Sequence, residues 1–162
     1  LDEQKSRSKL QSSMKGDVFD IKGLHLTGAK TSFLGYKKYE TKAKIIKVVK
    51  DNTPVKKIDK GEEAKIILDK TVFYPESGGQ VGDTGVFIKG KNILQVLDTQ
   101  QFDKVIVHKG RVKEGSFKIG DEVNSRVDIE RRLSIARNHT ATHLLQAALR
   151  KVLGVHVQQQ GS

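Results

Sequence analysis

The chain has 162 residues, 36% of them hydrophobic and 30% charged, with no Cys and no Trp. That length suits one domain, or one domain with a piece of another, and the apolar fraction excludes wholesale disorder. The absence of Cys excludes a disulfide scaffold and any complete zinc site built on thiolates of this chain. A net charge of +11 points to a polyanionic partner, most often nucleic acid, or to a Lys-rich solvated surface.

The chain opens Leu1-Asp2-Glu3-Gln4-Lys5, which has no apolar h-region and so is no signal peptide. The best apolar run, Ile45-Ile46 with Val48-Val49, is broken by Lys47 and falls far short of the ~18 residues of a membrane span. A soluble, cytoplasmic protein without a membrane partner is expected. A start at Leu rather than Met suggests a piece of something longer. Residues 1–60 carry 15 Lys/Arg against 7 Asp/Glu, residues 61–110 carry 6 against 7, and residues 111–162 carry 9 against 5. The positive charge therefore sits at the two ends of the chain.

Residues 1–22 are polar, and the spacing of Leu10, Met14 and Val18 allows a weak helix. Gly23, Gly28 and Gly35 mark a loop. From Tyr39 to Val127 short β-branched runs alternate with turn signals. Strands are predicted at Thr41–Val49, Ala64–Leu68, Thr71–Tyr74, Val86–Ile88, Ile93–Leu97, Lys104–Val107 and Asp121–Val127. Asp51-Asn52-Thr53-Pro54 reads as a turn, and Gly110, Gly115 and Gly120 as further turns. Such spacing predicts a small antiparallel barrel or sandwich with Ile45, Val48, Ile66, Leu68, Val72, Val86, Ile93, Val96, Val105 and Val107 in its core. After Asp128 the pattern becomes helical. One stretch starts at Ile129, and a second, capped by Asn138, runs over His139–Leu153 to Gly154. A new strand is predicted to begin at Val155.

Two segments carry chemistry. In His139-Thr140-Ala141-Thr142-His143 the histidines stand one helical turn apart, so their ring nitrogens can converge on one ion. At about 100° per residue they lie opposite the stripe of Leu144, Leu145, Ala148 and Val152. They make either a solvated polar face or half of a zinc site. No Glu follows the first His, so no general base is built in as it is in HExxH proteases. The second segment, Phe73–Gly85, is the densest glycine cluster. It reads either as a hairpin or long turn, or as a loop whose N–H groups approach a phosphate or carbonyl. It lacks the Lys-Ser/Thr ending of a P-loop.

Together these segments resemble the alanyl-tRNA synthetase family. Phe73-Tyr74-Pro75-Glu76-Ser77-Gly78-Gly79-Gln80-Val81-Gly82-Asp83-Thr84-Gly85 is similar to its glycine-rich motif, with Pro75 where the family often has Ala. Arg137–Leu145 resembles its HxxxH zinc motif, about 55 residues further on, and Leu153–Ser162 continues the likeness. The resemblance implies an α+β fold, a small antiparallel β-barrel (translation-protein-like) followed by the first helices of an α/β editing core. It divides the chain into a basic linker over 1–35, the barrel with the Gly-rich motif over 36–127, and the start of the editing core over 128–162. It implies hydrolysis of Ser or Gly esters of alanine-specific tRNA. Zinc would be held by His139 and His143 together with a later CxxxH motif that this sequence lacks. Gln159 would be the catalytic residue, with Glu76, Gly78, Gly79, Gln80 and Asp83 on the substrate side. ATP and magnesium would belong to an upstream domain, and the oligomeric state is left open. Two further readings stay open: a freestanding editing deacylase, and a basic RNA-binding β-barrel without catalysis.

The basic first third is expected to face tRNA. Changing Lys37, Lys38, Lys42, Lys44, Lys47 and Lys50 to Gln in the longer protein should flatten the salt dependence of tRNA affinity, since each phosphate contact releases counterions. An unchanged slope would remove these lysines from the interface.

Overall fold

The computed structural model of the chain describes residues 30–77 and 80–154. The weak helix expected near Leu10, the residues Gly78 and Gly79, and the strand expected from Val155, with Gln159, lie outside the described residues.

Among the described residues eleven strands precede one helix: β1 (Ser32–Phe33), β2 (Glu40–Lys50), β3 (Thr53–Pro54), β4 (Lys57–Asp59), β5 (Glu63–Leu68), β6 (Lys70–Thr71), β7 (Gly85–Lys89), β8 (Asn92–Phe102), β9 (Val105–Glu114), β10 (Ser116–Lys118), β11 (Glu122–Val127) and α1 (Ile129–Leu153). Six strands close a barrel. They neighbour one another in the order β11-β7-β8-β9-β5-β2, and β11 returns to β2 in register from Glu122↔Lys44 to Arg126↔Glu40. Every neighbouring pair in the ring is antiparallel. Closure matters because it leaves no row of unpaired N–H and C=O groups at a sheet edge. Two short pairs lie outside the ring, β4 with β10 antiparallel and β1 with β6 parallel. The α+β class and the small barrel expected from the sequence are what the chain forms.

Local chemistry explains several turns. Asp51 and Asn52 both take positive φ, 45° and 60°, between the paired residues Lys50 and Thr53. This is the two-residue hairpin geometry that Asp and Asn tolerate best after Gly. Gly110 is not the turn that its identity suggested. It sits mid-strand in β9 opposite Val96, where a Cβ would overlap Leu94 Cδ2. The strands read as Ile93–Leu97 and Lys104–Val107 are therefore the visible parts of one long hairpin, β8–β9. Thr71–Tyr74 shortens to the end of β6. Ser32–Phe33, read as loop, pairs with Lys70–Thr71. The helix runs through Asn138 without a break, because Asp128 is the only N-cap it uses.

The barrel interior is built from Ile45, Val48, Ile66, Leu68, Val72, Phe73, Phe87, Leu94, Val96 and Phe117 with smaller neighbours. Val105 and Val107 form a second cluster with Val49 and Ile67. Val86 and Ile93, expected inside, face outward: Val86 is half-buried and Ile93 is 37% exposed. Strand alternation puts their neighbours Phe87 and Leu94 inside instead. A register shift between Val96 and Asp98 then resets the alternation, so that Thr99 faces inward next.

One polar group lies at the centre of this core. His108 is fully buried, with Phe73 and Phe87 edge-on to its ring at centroid distances of 5.4 and 5.2 Å. Its Nδ1–H donates to the Ile66 carbonyl (3.1 Å), which leaves Nε2 to accept from the Thr71 hydroxyl (2.8 Å). That hydroxyl in turn accepts from the Phe73 N–H (3.1 Å). The chain of bonds fixes the neutral tautomer. Burial pushes the His108 pKa down to about 4, against a smaller upward effect of the Ile66 carbonyl. The unfolded ring takes a proton near pH 6.5, whereas the folded ring resists protonation until about pH 4. Between these values the unfolded state binds more protons. Stability is thus fully present above pH 6.5 and is lost as pH falls toward 4. Urea titrations of the chain should show a fall of about 3 kcal/mol over that interval. In His108→Leu the fall should shrink by that amount; an identical acid profile in the variant would remove His108 as its cause.

Candidate functional site

The Gly-rich segment Phe73–Gly85 leaves the barrel after β6 and returns at the start of β7. Phe73 and Pro75 are buried, Tyr74 is half-buried, and Glu76 and Ser77 are exposed. Its backbone is held by its own partners. Tyr74 N–H donates to Asp83 Oδ2 (2.6 Å), and Asp83 N–H donates back to the Tyr74 carbonyl (2.9 Å). Glu76 N–H donates to the Thr99 carbonyl (2.9 Å), and Ser77 and Gln80 bond each other through both backbone groups (3.1 and 2.9 Å). Gly82 approaches β8 so closely that a Cβ there would overlap the Thr99 carbonyl oxygen. The N–H groups of Tyr74, Glu76, Ser77, Gln80 and Asp83 thus all donate within the chain. At these residues the segment is a structured turn, which answers the first of the two readings offered by its glycines.

The candidate residues separate by environment. The Glu76 carboxylate accepts from Gln100 Nε2 (2.5 Å) at the surface, and Gln80 is half-buried. Asp83 is only 2% exposed and its carboxylate points at the base of α1, where it accepts from Arg132 Nε (3.0 Å) and Nη2. Arg132 Nη1 also donates to the Gly35 carbonyl (3.1 Å), and Nη2 donates to the Val72 carbonyl (2.5 Å). The Tyr39 ring lies 5.6 Å from the guanidinium carbon. The adjacent Arg131 Nη1 donates to the Gly82 carbonyl (2.7 Å). Arg131 and Arg132 therefore fasten the helix to both ends of the Gly-rich segment. Sequence reasoning passed over this pair. Its signal is two consecutive cations in the first turn of a helix, where the helix dipole disfavours positive charge. Such residues ask for an anion or carbonyls outside the helix.

Beyond this base α1 rises as a single rod. Asp128 Oδ1 caps it by accepting from Arg131 N–H (3.0 Å), and Gly154 N–H closes it on the Arg150 carbonyl (3.1 Å). No residue of the helix is buried. Leu144 and Val152 are 68% and 80% exposed, so the apolar stripe opposite the histidines has no cover among the described residues. The two histidines meet on the other side, His139 Nε2 and His143 Nε2 being 2.8 Å apart with rings nearly perpendicular. At this separation the two rings share a hydrogen bond, one nitrogen donating and the other accepting, and an ion held by both would have to replace that proton. Among the described residues no third His, Asp or Glu joins them. The donor set thus suits zinc but supplies half of its usual four ligands.

Of the lysines expected to meet phosphate, Lys50 is held by Glu62 (2.5 Å), whose hydrogen bond and charge raise the Lys50 pKa. Lys42 lies 3.9 Å from Glu122 at the surface. Among the described residues no helix is long and apolar enough to cross a membrane.

The sequence profile described as "tRNA synthetases class II (A)" matches residues 1–131. An alanine–tRNA ligase of Alkaliphilus oremlandii is 51% identical over 133 residues, which is 82% of this chain and 15% of that protein. The chain belongs to the alanyl-tRNA synthetase family. Alanine–tRNA ligases of Polaromonas sp. and Paraburkholderia phytofirmans are 42% and 44% identical across the whole chain, covering 18% and 19% of their own lengths. The chain thus spans less than one fifth of the curated alanyl-tRNA synthetases that it matches.

The Asp83–Arg132 contact yields a stability test. Removing the cation beside the buried Asp83 leaves that carboxylate without compensation, at a cost of roughly 3–5 kcal/mol. Arg132→Ala should lower unfolding free energy by about that much in urea titrations, and Arg131→Ala by only about 1 kcal/mol. Equal effects of the two substitutions would show that Asp83 does not depend on Arg132.

Proposed function

We propose that this chain forms part of an editing unit that hydrolyses the ester joining Ser or Gly to alanine-specific tRNA. The observation that carries the reading is the convergence of His139 and His143 on a helix whose base is fastened to the Gly-rich segment. An aminoacyl ester is already activated. Its hydrolysis needs positioning, a water molecule and charge stabilisation more than a strong nucleophile. A synthetic site for alanine cannot exclude glycine by size, nor strongly reject serine, which calls for a second, hydrolytic sieve.

In this reading His139 and His143 supply two zinc ligands, and the later CxxxH motif of the family supplies the rest. When bound, the ion supplies positive charge to the acyl ester. Glu76 and Gln80 lie on the substrate side with Gly78 and Gly79, and Gln159 is the catalytic candidate. Asp83 acts through Arg132, by holding the helix, rather than by touching substrate. ATP and magnesium serve the ligase reaction in another part of the protein, which works in the cytoplasm with tRNA as its partner.

The 162-residue chain should lose zinc on dialysis against a mild chelator and should not deacylate Ser- or Gly-mischarged tRNA, because two imidazoles make an incomplete site. A longer protein that includes the CxxxH segment should keep about one zinc per chain and deacylate both esters. His139→Ala in that protein should abolish zinc retention. Stoichiometric zinc held by the short chain as a monomer would overturn the half-site. Tight RNA binding without deacylation by the longer protein would favour a non-catalytic RNA-binding barrel.

A further inference from the structure

We infer that the cleft between β1, residues 74–77 and the β8–β9 turn is a binding site for one unpaired RNA nucleotide, with the base on its aromatic wall and the phosphate between Lys30 and Lys104. The inference rests on the tRNA-binding reading above and adds to it a surface away from the histidine pair.

The cleft has a volume of about 430 Å³, and Phe33, Tyr36 and Tyr74 supply its aromatic wall. Phe33 meets Tyr36 edge-on at 4.9 Å and Tyr74 at 5.9 Å, so the three rings form one connected group. Tyr36 is 84% exposed. An aromatic side chain that open to water has an unused face, and a nucleobase is the planar group that stacks on it without regard to sequence. Lys30 and Lys104 lie on the rim with a single carboxylate, Asp103. Two cations beside a stacking platform fit a phosphate linked to a base, whereas an uncharged aromatic ligand would leave them without a role.

The frame of the cleft is held in place. Thr31 N–H donates to the Lys104 carbonyl (3.1 Å), its hydroxyl donates to the Leu68 carbonyl (3.0 Å), and Ile106 N–H donates to that hydroxyl (3.2 Å). These bonds bring Lys30 and Lys104 to one rim although they are far apart in sequence. Phe33 is fixed by the β1–β6 pairing and Tyr74 by its two bonds with Asp83. A base entering the cleft therefore meets a surface already arranged for it.

The chain has three Tyr and no Trp, so tyrosine emission reports stacking directly. An eight-nucleotide single-stranded RNA and a blunt RNA duplex of equal charge are titrated against the 162-residue chain, with circular dichroism confirming that each variant is folded. The single strand should quench tyrosine emission and the duplex should not. Tyr36→Ala should weaken single-strand binding roughly 5- to 100-fold, and Tyr36→Phe should keep it within about twofold, since the ring and not the hydroxyl does the stacking. Lys30→Gln with Lys104→Gln should lower the salt slope by about 1 to 2. Single-strand affinity unchanged in Tyr36→Ala, or a duplex that quenches equally, overturns the nucleotide site while leaving the editing reading intact. Failure of the wild-type chain to bind either RNA overturns the site and counts against the tRNA reading as well. Loss of deacylation in the longer protein with single-strand binding retained would remove the editing reading alone.

Discussion

The guanidinium of Arg132 touches four separate parts of the barrel, and the relation of helix to barrel depends on it. Asp83, the Gly35 and Val72 carbonyls and the Tyr39 ring come from different stretches of chain. A planar fork of five donors can meet carbonyls and a carboxylate together, which an ammonium cannot. Asp83 is the other half of the constraint. It is buried, so its carboxylate needs a cation, and it also holds Tyr74 through the backbone. The Gly-rich segment and the base of the helix meet at this contact, with Arg131 adding the Gly82 carbonyl beside it.

Within the barrel a second polar arrangement has the opposite character, since none of its groups is charged. The bonds from Phe73 N–H through the Thr71 hydroxyl to His108, and on to the Ile66 carbonyl, leave no ring nitrogen unsatisfied. They join the segment after β6 to both β9 and β5. A slip of β9 by one residue would turn His108 outward and orphan the Thr71 hydroxyl. The network therefore selects one register among several that an all-apolar interior would accept.

The barrel was legible because short β-branched runs alternate with turn signals, and Asp121–Val127 displays the period of two directly, whereas β2 shifts register between Ile45 and Lys47 and β5 buries Ile66, Ile67 and Leu68 in succession. It was less legible in β8, where a register shift at Val96 interrupts the period and polar Asp98 and Gln100 flank a buried Thr99. Gly110 misled for a related reason: its missing side chain serves close packing against Leu94 rather than a turn. The histidine pair was legible from its spacing alone, and the structure brings the two nitrogens together. The Arg131–Arg132 fastening was not. Its partners at Gly35, Val72, Gly82 and Asp83 are about 50 to 100 residues away, and only the unfavourable sign of the charge at a helix start hints at them. The aromatic cleft was hidden in the same way, since Lys30 and Lys104 meet only through the folded chain.

A helix fastened at its foot behaves as a cantilever. His143 stands eleven residues above Arg132, a rise of about 16 Å along the axis. A tilt of about 10° at the foot carries the imidazole through about 3 Å. Where the histidine pair stands relative to the barrel is therefore set by the Arg131 and Arg132 contacts, multiplied by the length of the lever.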